Sequence, residues 1–240
     1  MDVDNVLLFA TGNPHKRQEF ERLLGDFLHP MWETYDLTDW PEALPEVEET
    51  RETFRGNAFQ KAETMSLATQ ATALADDSGL EVDALDGAPG VRSARFAGPD
   101  ATDEQNNKKL IEELQGVSDR ERTARYVCVI ALVASSRKVG RALIERTGYR
   151  IRAIPEAKPT EEATLARADD RAYVWFRGTV EGKIIDEPRG DHGFGYDPHF
   201  YVPEWDKTMA EVPMDKKNEI SHRAEALRKM KDFFPATSNP

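Results

Sequence analysis

Val6-Leu7-Leu8-Phe9-Ala10-Thr11-Gly12-Asn13-Pro14-His15-Lys16 is where the fold of this chain declares itself. A short apolar run bounded by Thr11-Gly12-Asn13-Pro14 describes a buried strand entering a turn. From Lys16 onward Phe20, Leu23 and Leu24 recur at helical spacing, and Gly25 stands where a C-terminal cap is expected. The chain therefore starts strand, loop, helix. A start of this kind aims free backbone N–H groups and the positive end of a helix dipole at one spot, which suits a phosphate. Thr11, Gly12, Asn13 and Lys16 are the candidates to line it, with Lys16 as a point charge one turn in. The other reading is an ordinary turn capped by Asn13. The segment is neither a Walker loop nor a dinucleotide fingerprint.

Further along, Pro41 and Pro45 stand among Glu42, Glu46, Glu48 and Glu49 in an acidic loop. A helix is predicted from Glu52 to about Ala68, with Phe54, Ala58, Ala62 and Met65 on one face and Asn57 and Lys61 on another. Leu74-Ala75 leads into Asp76-Asp77-Ser78-Gly79, read as a turn, before Leu80-Glu81-Val82 alternates like a strand. Asp103 to Leu114 reads as a polar surface helix, and Arg125 to Ala134 as a strand buried on both faces. Tyr173 to Phe176 with Thr179-Val180 is another strand, and Ser221 to Phe234 a final helix. The connection of about residues 136–171 holds Tyr149 to Ile154, a turn from Pro155 to Pro159 and a helix expected near Glu161 to Ala168. Strands and helices alternate, so the expected architecture is mixed α/β.

Composition narrows the function. A length of 240 residues with 39% hydrophobic and 32% charged residues suits a folded, well-solvated protein of one large domain or two small ones. The net charge of -12 disfavours a nucleic-acid scaffold, because it repels a phosphate polymer on average, yet leaves room for a local cationic pocket. Cys128, the single cysteine, sits in the run Val127 to Val133 and reads as core. Met1-Asp2-Val3-Asp4-Asn5 lacks the basic region of a signal peptide, and no window approaches the roughly 18 apolar residues of a membrane span. A soluble, cytoplasmic protein without a membrane or nucleic-acid partner is the expectation.

Two further groups carry chemistry. Asp76 and Asp77 present adjacent carboxylates beside the Ser78 hydroxyl; in a turn such acids are usually solvated, but beside a phosphate their hard oxygens would hold Mg²⁺. Glu49 offers a further ligand from the acidic loop, and Lys61 a second phosphate contact. Gly193-Phe194-Gly195-Tyr196-Asp197-Pro198 frees the backbone around Phe194, whose ring could then stack on a planar ligand, with Lys217 and Arg223 as donors at its edge. Plain readings stand beside these: Phe194 as core, His222 and Arg223 as the first turn of a surface helix, Lys216-Lys217 as a solvated pair.

Taken together and in order, Thr11-Gly12-Asn13-x-x-Lys16-x-x-Glu19, Ala75-Asp76-Asp77-Ser78-Gly79-Leu80, Gly87-Ala88-Pro89-Gly90-Val91-x-Ser93-Ala94-Arg95, Gly193 to Pro198 and Ile220-Ser221-His222-Arg223-Ala224 resemble the signature blocks of the inosine triphosphate pyrophosphatases. These hydrolases of non-standard purine nucleoside triphosphates cleanse the nucleotide pool. The resemblance implies conversion of ITP, dITP and XTP to the monophosphate and pyrophosphate with Mg²⁺, by a homodimer. It implies an α/β fold, an elongated mixed β-sheet with helices on both sides, two lobes flanking a nucleotide-binding cleft. One such domain would occupy residues 1–240, with an insertion at about 136–171, where a shorter hairpin is expected.

By similarity Thr11, Gly12, Asn13 and Lys16 hold the triphosphate and Lys61 assists. Asp77 matches the general base and a metal ligand, with Glu49 and Asp76 completing the metal site, and Ser78 matches a substrate contact. Phe194 stacks on the purine, with Gly195, Tyr196 and Asp197 shaping its pocket. Lys217, His222 and Arg223 direct donors at the 6-oxo group, where the 6-amino group of adenine would leave them unpaired. Guanine shares the 6-oxo group, and no residue of the sequence accounts for its refusal. The alternative is a purine nucleotide-binding sensor that kept the pocket without the chemistry; Lys16, Asp77, Lys217 and Arg223, all at their motif positions, argue against it.

Overall fold

The apolar opening forms β1 (Val6–Phe9), buried at every residue. It needs that composition, because it is flanked on both sides by parallel neighbours, β2 (Glu33–Asp36) and β3 (Thr72–Val82). The computed structural model describes residues 5–28, 32–136, 139, 163–168 and 171–233. Helix α1 (Pro14–Leu28) follows β1, with Pro14 at the first position, where a missing N–H costs nothing. Phe20 and Leu24 are buried, and the Phe20 ring stacks on Phe9 with centroids 5.8 Å apart. α1 runs through Gly25 instead of ending there. A helix tolerates an interior glycine at a cost of about 1 kcal/mol, less than packing returns.

Helix α2 (Phe54–Thr69) is capped by Thr53, whose hydroxyl accepts from Gly56 N–H at 3.0 Å, and buries Phe54, Ala58, Ala62 and Met65 as the spacing requires. β3 then runs unbroken from Thr72 to Val82, so Asp76 and Asp77 lie in a strand rather than in a solvated turn. The buried segments on either side, Thr72 to Ala75 and Leu80 to Val82, impose the extended conformation on the polar tetrad between them. Their side chains are correspondingly shielded, Asp76 being 2% and Asp77 5% exposed.

In β4 (Thr123–Val133) every residue from Tyr126 to Val133 is buried, and β6 (Arg171–Ile184) joins the two strand pieces expected near Tyr173 and Thr179. Residues Ala163–Ala168 form β5, antiparallel to β6 from Ala163 opposite Phe176 to Ala168 opposite Arg171, where the sequence predicted a helix. Ala-Thr-Leu-Ala-Arg-Ala is a good helix former, and pairing with a neighbouring strand overrides that local preference. The rest of the 136–171 connection, including Tyr149 to Ile154 and the expected turn at Pro155 to Pro159, lies outside the described residues apart from Ser136, Val139 and Arg171. β7 (Phe200–Val202) and β8 (Lys207–Thr208) add antiparallel pairs. The eight strands bond in the order β2-β1-β3-β4-β6-β7-β8, with β5 on β6, which makes a mixed sheet in an α/β fold.

The described residues divide into two units. The first takes in the chain up to Asp77, then Val129–Arg177, then the chain from Ala226; the second is Ser78–Cys128 with Gly178–Glu225. The core of the second gathers Leu80, Leu110, Leu114, Tyr126, Phe200 and Met209. It also contains α3 (Asp103–Glu113), started by a capping box of Thr102 and Gln105, and α4 (Met214–Ile220). α5 (His222–Phe233) begins at Ser221, whose hydroxyl accepts from Ala224 N–H at 3.1 Å. Among the described residues no helix is long and apolar enough to cross a membrane.

Candidate active site

In the first unit the candidate residues converge on the C-terminal ends of β1 and of the first part of β3. Asn13 caps α1: its Oδ1 accepts from Lys16 N–H at 3.3 Å, while its own N–H donates to Thr11 Oγ1 at 3.3 Å. The capped turn is thus also the helix start that the sequence offered to an anion. At Gly12 an added Cβ would meet nothing within 4 Å, so packing does not demand the glycine. Its bareness leaves the helix start open to approach.

Lys16 Nζ lies 2.9 Å from Asp76 Oδ2. Lys61 reaches from α2 to Glu49 at 2.6 Å and stands 3.9 Å from Asp77 Oδ1. Burial works against the Lys61 charge, but Asp76, Asp77 and Glu49 outweigh it and raise its pKa above that of an ordinary lysine. Asp77 goes the other way from most ion-paired acids: burial pushes its pKa up to about 6, with Glu49 adding to the rise and Lys61, the Asn57 amide and Lys16 opposing it. A carboxyl group in that range can take up and give back a proton near neutral pH.

Among the described residues no three His, Cys, Asp or Glu side chains are arranged to hold a metal ion. Asp76, Asp77 and Glu49, the ligands expected from the sequence, instead face ammonium groups in this structure. Crowded carboxylates repel, and here two ammonium groups stand against three acids, Lys16 beside Asp76 and Lys61 beside Glu49 and, at 3.9 Å, Asp77.

The second unit assembles a different group. Phe194 is 41% exposed, with Lys217 Nζ 5.1 Å from its ring centroid. Asp197, Lys217, His222 and Arg223 are all buried. Asp197 Oδ2 accepts from Phe194 N–H at 2.9 Å and closely from the Lys217 ammonium, and Arg223 Nη2 donates to Ser78 Oγ at 3.2 Å. Glycine is obligatory at 193, where φ is +89° and a Cβ would fall 2.1 Å from Asp197 Oδ2. Tyr196 turns inward: its buried hydroxyl donates to Ser93 O at 2.7 Å, so it anchors the loop. Gly195 is held by its backbone, its N–H donating to Asp103 Oδ2 at 2.6 Å and its carbonyl accepting from Asn107 Nδ2 at 2.8 Å.

Several of these partners escaped the sequence reading. Asp103 and Asn107 lie on α3, whose polar composition reads as a solvated surface in the sequence. Asn57, completely buried, donates to Asp77 Oδ2 at 3.0 Å; its spacing from Lys61 was the available signal. Tyr126, inside an apolar strand, gave none, yet its hydroxyl donates to Asp197 Oδ1 at 3.0 Å.

The sequence model of the Ham1 family matches residues 7–233. The dITP/XTP pyrophosphatase of Listeria monocytogenes is 42% identical over 224 residues, 93% of this chain and 92% of that protein. The dITP/XTP pyrophosphatase of an Exiguobacterium species is 44% identical over 225 residues, 93% and 94% of the two chains. Among solved structures, a HAM1 protein from Coxiella burnetii is 36% identical with a TM-score of 0.73, covering 94% of this chain and 95% of that one.

Proposed function

The chain belongs to the Ham1 family, and from that membership and the two side-chain groups we propose that it hydrolyses the non-standard purine nucleoside triphosphates ITP, dITP and XTP to the monophosphate and pyrophosphate. The observation that carries the reading is Asp77, a buried carboxyl group with its pKa lifted to about 6 beside Lys61. Relatives named dITP/XTP pyrophosphatase, at 42% and 44% identity over nearly the whole chain, point to the same reaction.

Lys16, Lys61, the backbone at Gly12 and the side chains of Thr11 and Asn13 receive the triphosphate, trading their contacts with acids for contacts with phosphate oxygens. Asp77 takes a proton from a water that attacks the α-phosphorus. The bond from that phosphorus to the bridging oxygen breaks, and pyrophosphate carries away the electron pair. The oxygen donors of Asp77, Asp76 and Glu49, released from the lysines, would suit Mg²⁺, which takes one or two carboxylates with phosphate oxygens and water and would there withdraw charge from the phosphates and acidify water.

On the base side Phe194 offers an exposed ring for stacking, with Gly195, Tyr196 and Asp197 keeping its loop in place. Lys217, His222 and Arg223 are donors for the 6-oxo group, and Ser78, held by Arg223, is a contact to the nucleotide. The 6-amino group of adenine would leave such donors unpaired, at about 1–3 kcal/mol each. The proposal includes one domain over residues 1–240 with an insertion at about 136–171, acting as a homodimer in the cytoplasm.

Turnover of ITP in ¹⁸O-water tests the reaction. Label found in the monophosphate supports attack at the α-phosphorus; label in pyrophosphate, or release of orthophosphate with IDP, contradicts it.

A further inference from the structure

Tyr126 sits in the buried run of β4, where an aromatic residue is ordinarily core, and one contact of its ring, with Phe200 at 4.5 Å between centroids, fits that role. Two others do not. The ring stacks on the imidazole of His222, centroids 5.0 Å apart and planes 14° from parallel, and the hydroxyl donates to Asp197 Oδ1 at 3.0 Å. Burial, and after it the charge of Asp197, drives the phenol pKa well above its ordinary value, so the hydroxyl stays a donor at any working pH.

Asp197 is thereby held on both oxygens, Oδ1 by Tyr126 and Oδ2 by the Phe194 N–H and the Lys217 ammonium. A carboxylate offers about four lone-pair directions, and these donors occupy most of them. Among the described residues of the second unit, Asp197 is the one buried carboxylate.

We propose that Tyr126 is the positioning residue through which this site refuses purines bearing a 2-amino group. The inference rests on the proposed function and deepens it. Guanine shares the 6-oxo group that Lys217, His222 and Arg223 serve, so it differs from hypoxanthine only by an amino group that must find an acceptor once buried. The buried carboxylate beside the stacking ring is Asp197, whose Oδ2 accepts from the Phe194 N–H, and it is the acceptor assigned to that amino group. Tyr126 keeps Asp197 Oδ1 engaged and the carboxylate from turning, while its ring fixes the plane of His222. Loss of the hydroxyl alone opens an oxygen to the amino group and slackens the hold on Lys217 and on the Phe194 N–H. The first change favours GTP, while the second weakens both nucleotides through groups they share, so the preference shrinks through the first.

The test is Tyr126→Phe, which keeps the ring and its stacking, with kcat and KM measured for ITP, XTP and GTP alongside a thermal melt. The ITP:GTP ratio of kcat/KM falls about tenfold, the equivalent of one hydrogen bond, and the change lies mainly in KM, because Asp77 and its lysines are untouched. Tyr126→Phe in an Asp197→Asn background changes the ratio no further, because the effect runs through the Asp197 carboxylate; multiplying effects would overturn the inference. Should the phenylalanine variant fail to fold, Asp197→Asn alone must lower the ratio. A ratio within twofold of the wild type overturns the inference, as does a wild type that uses GTP as well as ITP. A wild type that releases no pyrophosphate from ITP or XTP brings down the functional reading itself; an active wild type with an unmoved ratio brings down the inference alone.

Discussion

Asn57 Nδ2 donates to Asp77 Oδ2 at 3.0 Å while its Oδ1 accepts from the backbone N–H of Arg51 at 2.8 Å, so one fully buried amide ties the acidic loop to the proposed base. Gln60 repeats the device one turn on, its Nε2 donating to Glu48 O at 3.1 Å. Replacing Asn57 by Ala leaves a buried N–H without its acceptor and a small void. The expected loss is about 2–3 kcal/mol in urea unfolding, with kcat reduced more than KM is raised. Unchanged kcat would mean that the amide only packs.

Burial pushes the pKa of the Asp77 carboxyl group up to about 6, and the proposed base must be ionised to work. The profile of kcat/KM for ITP therefore falls about tenfold per pH unit below that value. Raising magnesium moves this limb to lower pH, since a nearby cation favours the carboxylate. A flat profile from pH 5 to 8 would place the base elsewhere.

The same shift has a consequence for stability. Folding raises the pKa of Asp77 above its ordinary value of 3.8, so its contribution is fully present below that value and is lost as pH rises to about 6. In EDTA, Asp77→Asn should gain stability over the wild type across that window, by on the order of 2 kcal/mol at pH 7–8, while losing turnover. A gap that does not change with pH would contradict the assignment.

Phe194 and Gly193 separate binding from folding. Phe194 is 41% exposed, so Phe194→Ala should leave the melting temperature nearly unchanged and raise KM for ITP by about tenfold or more, the loss of one stacking contact. Gly193→Ala strains a backbone at φ +89° and drives a methyl group into Asp197, so it should cost about 1–3 kcal/mol of stability and weaken substrate binding together. Equal melting temperatures for the two variants would argue against the Asp197 contact.

Local patterns carried much of the fold. The apolar run of β1 and the buried face of α2, Phe54, Ala58, Ala62 and Met65, repeat with the period of their elements and could be read directly. Asp76 and Asp77 could not, because two adjacent acids look like a turn until the buried segments around them and the lysines from α1 and α2 are in place. β5 exists by its pairing with β6, which local helix preference conceals. In the site, residues with a characteristic type and motif spacing, Lys16, Asp77, Phe194 and Lys217, stood out. Tyr126 reaches a partner 71 residues away, and Asn107 one 88 residues away, and separations of that kind leave no mark in a linear pattern.

Product identification distinguishes hydrolysis of non-standard purine triphosphates from binding alone. Protein stripped with EDTA is incubated with ITP, XTP, GTP and ATP, each with and without Mg²⁺, and the products are resolved. Monophosphate and pyrophosphate are expected from ITP and XTP, dependent on Mg²⁺, with little from GTP or ATP. Tight binding of ITP without turnover, or turnover that favours ATP, would contradict the proposed function.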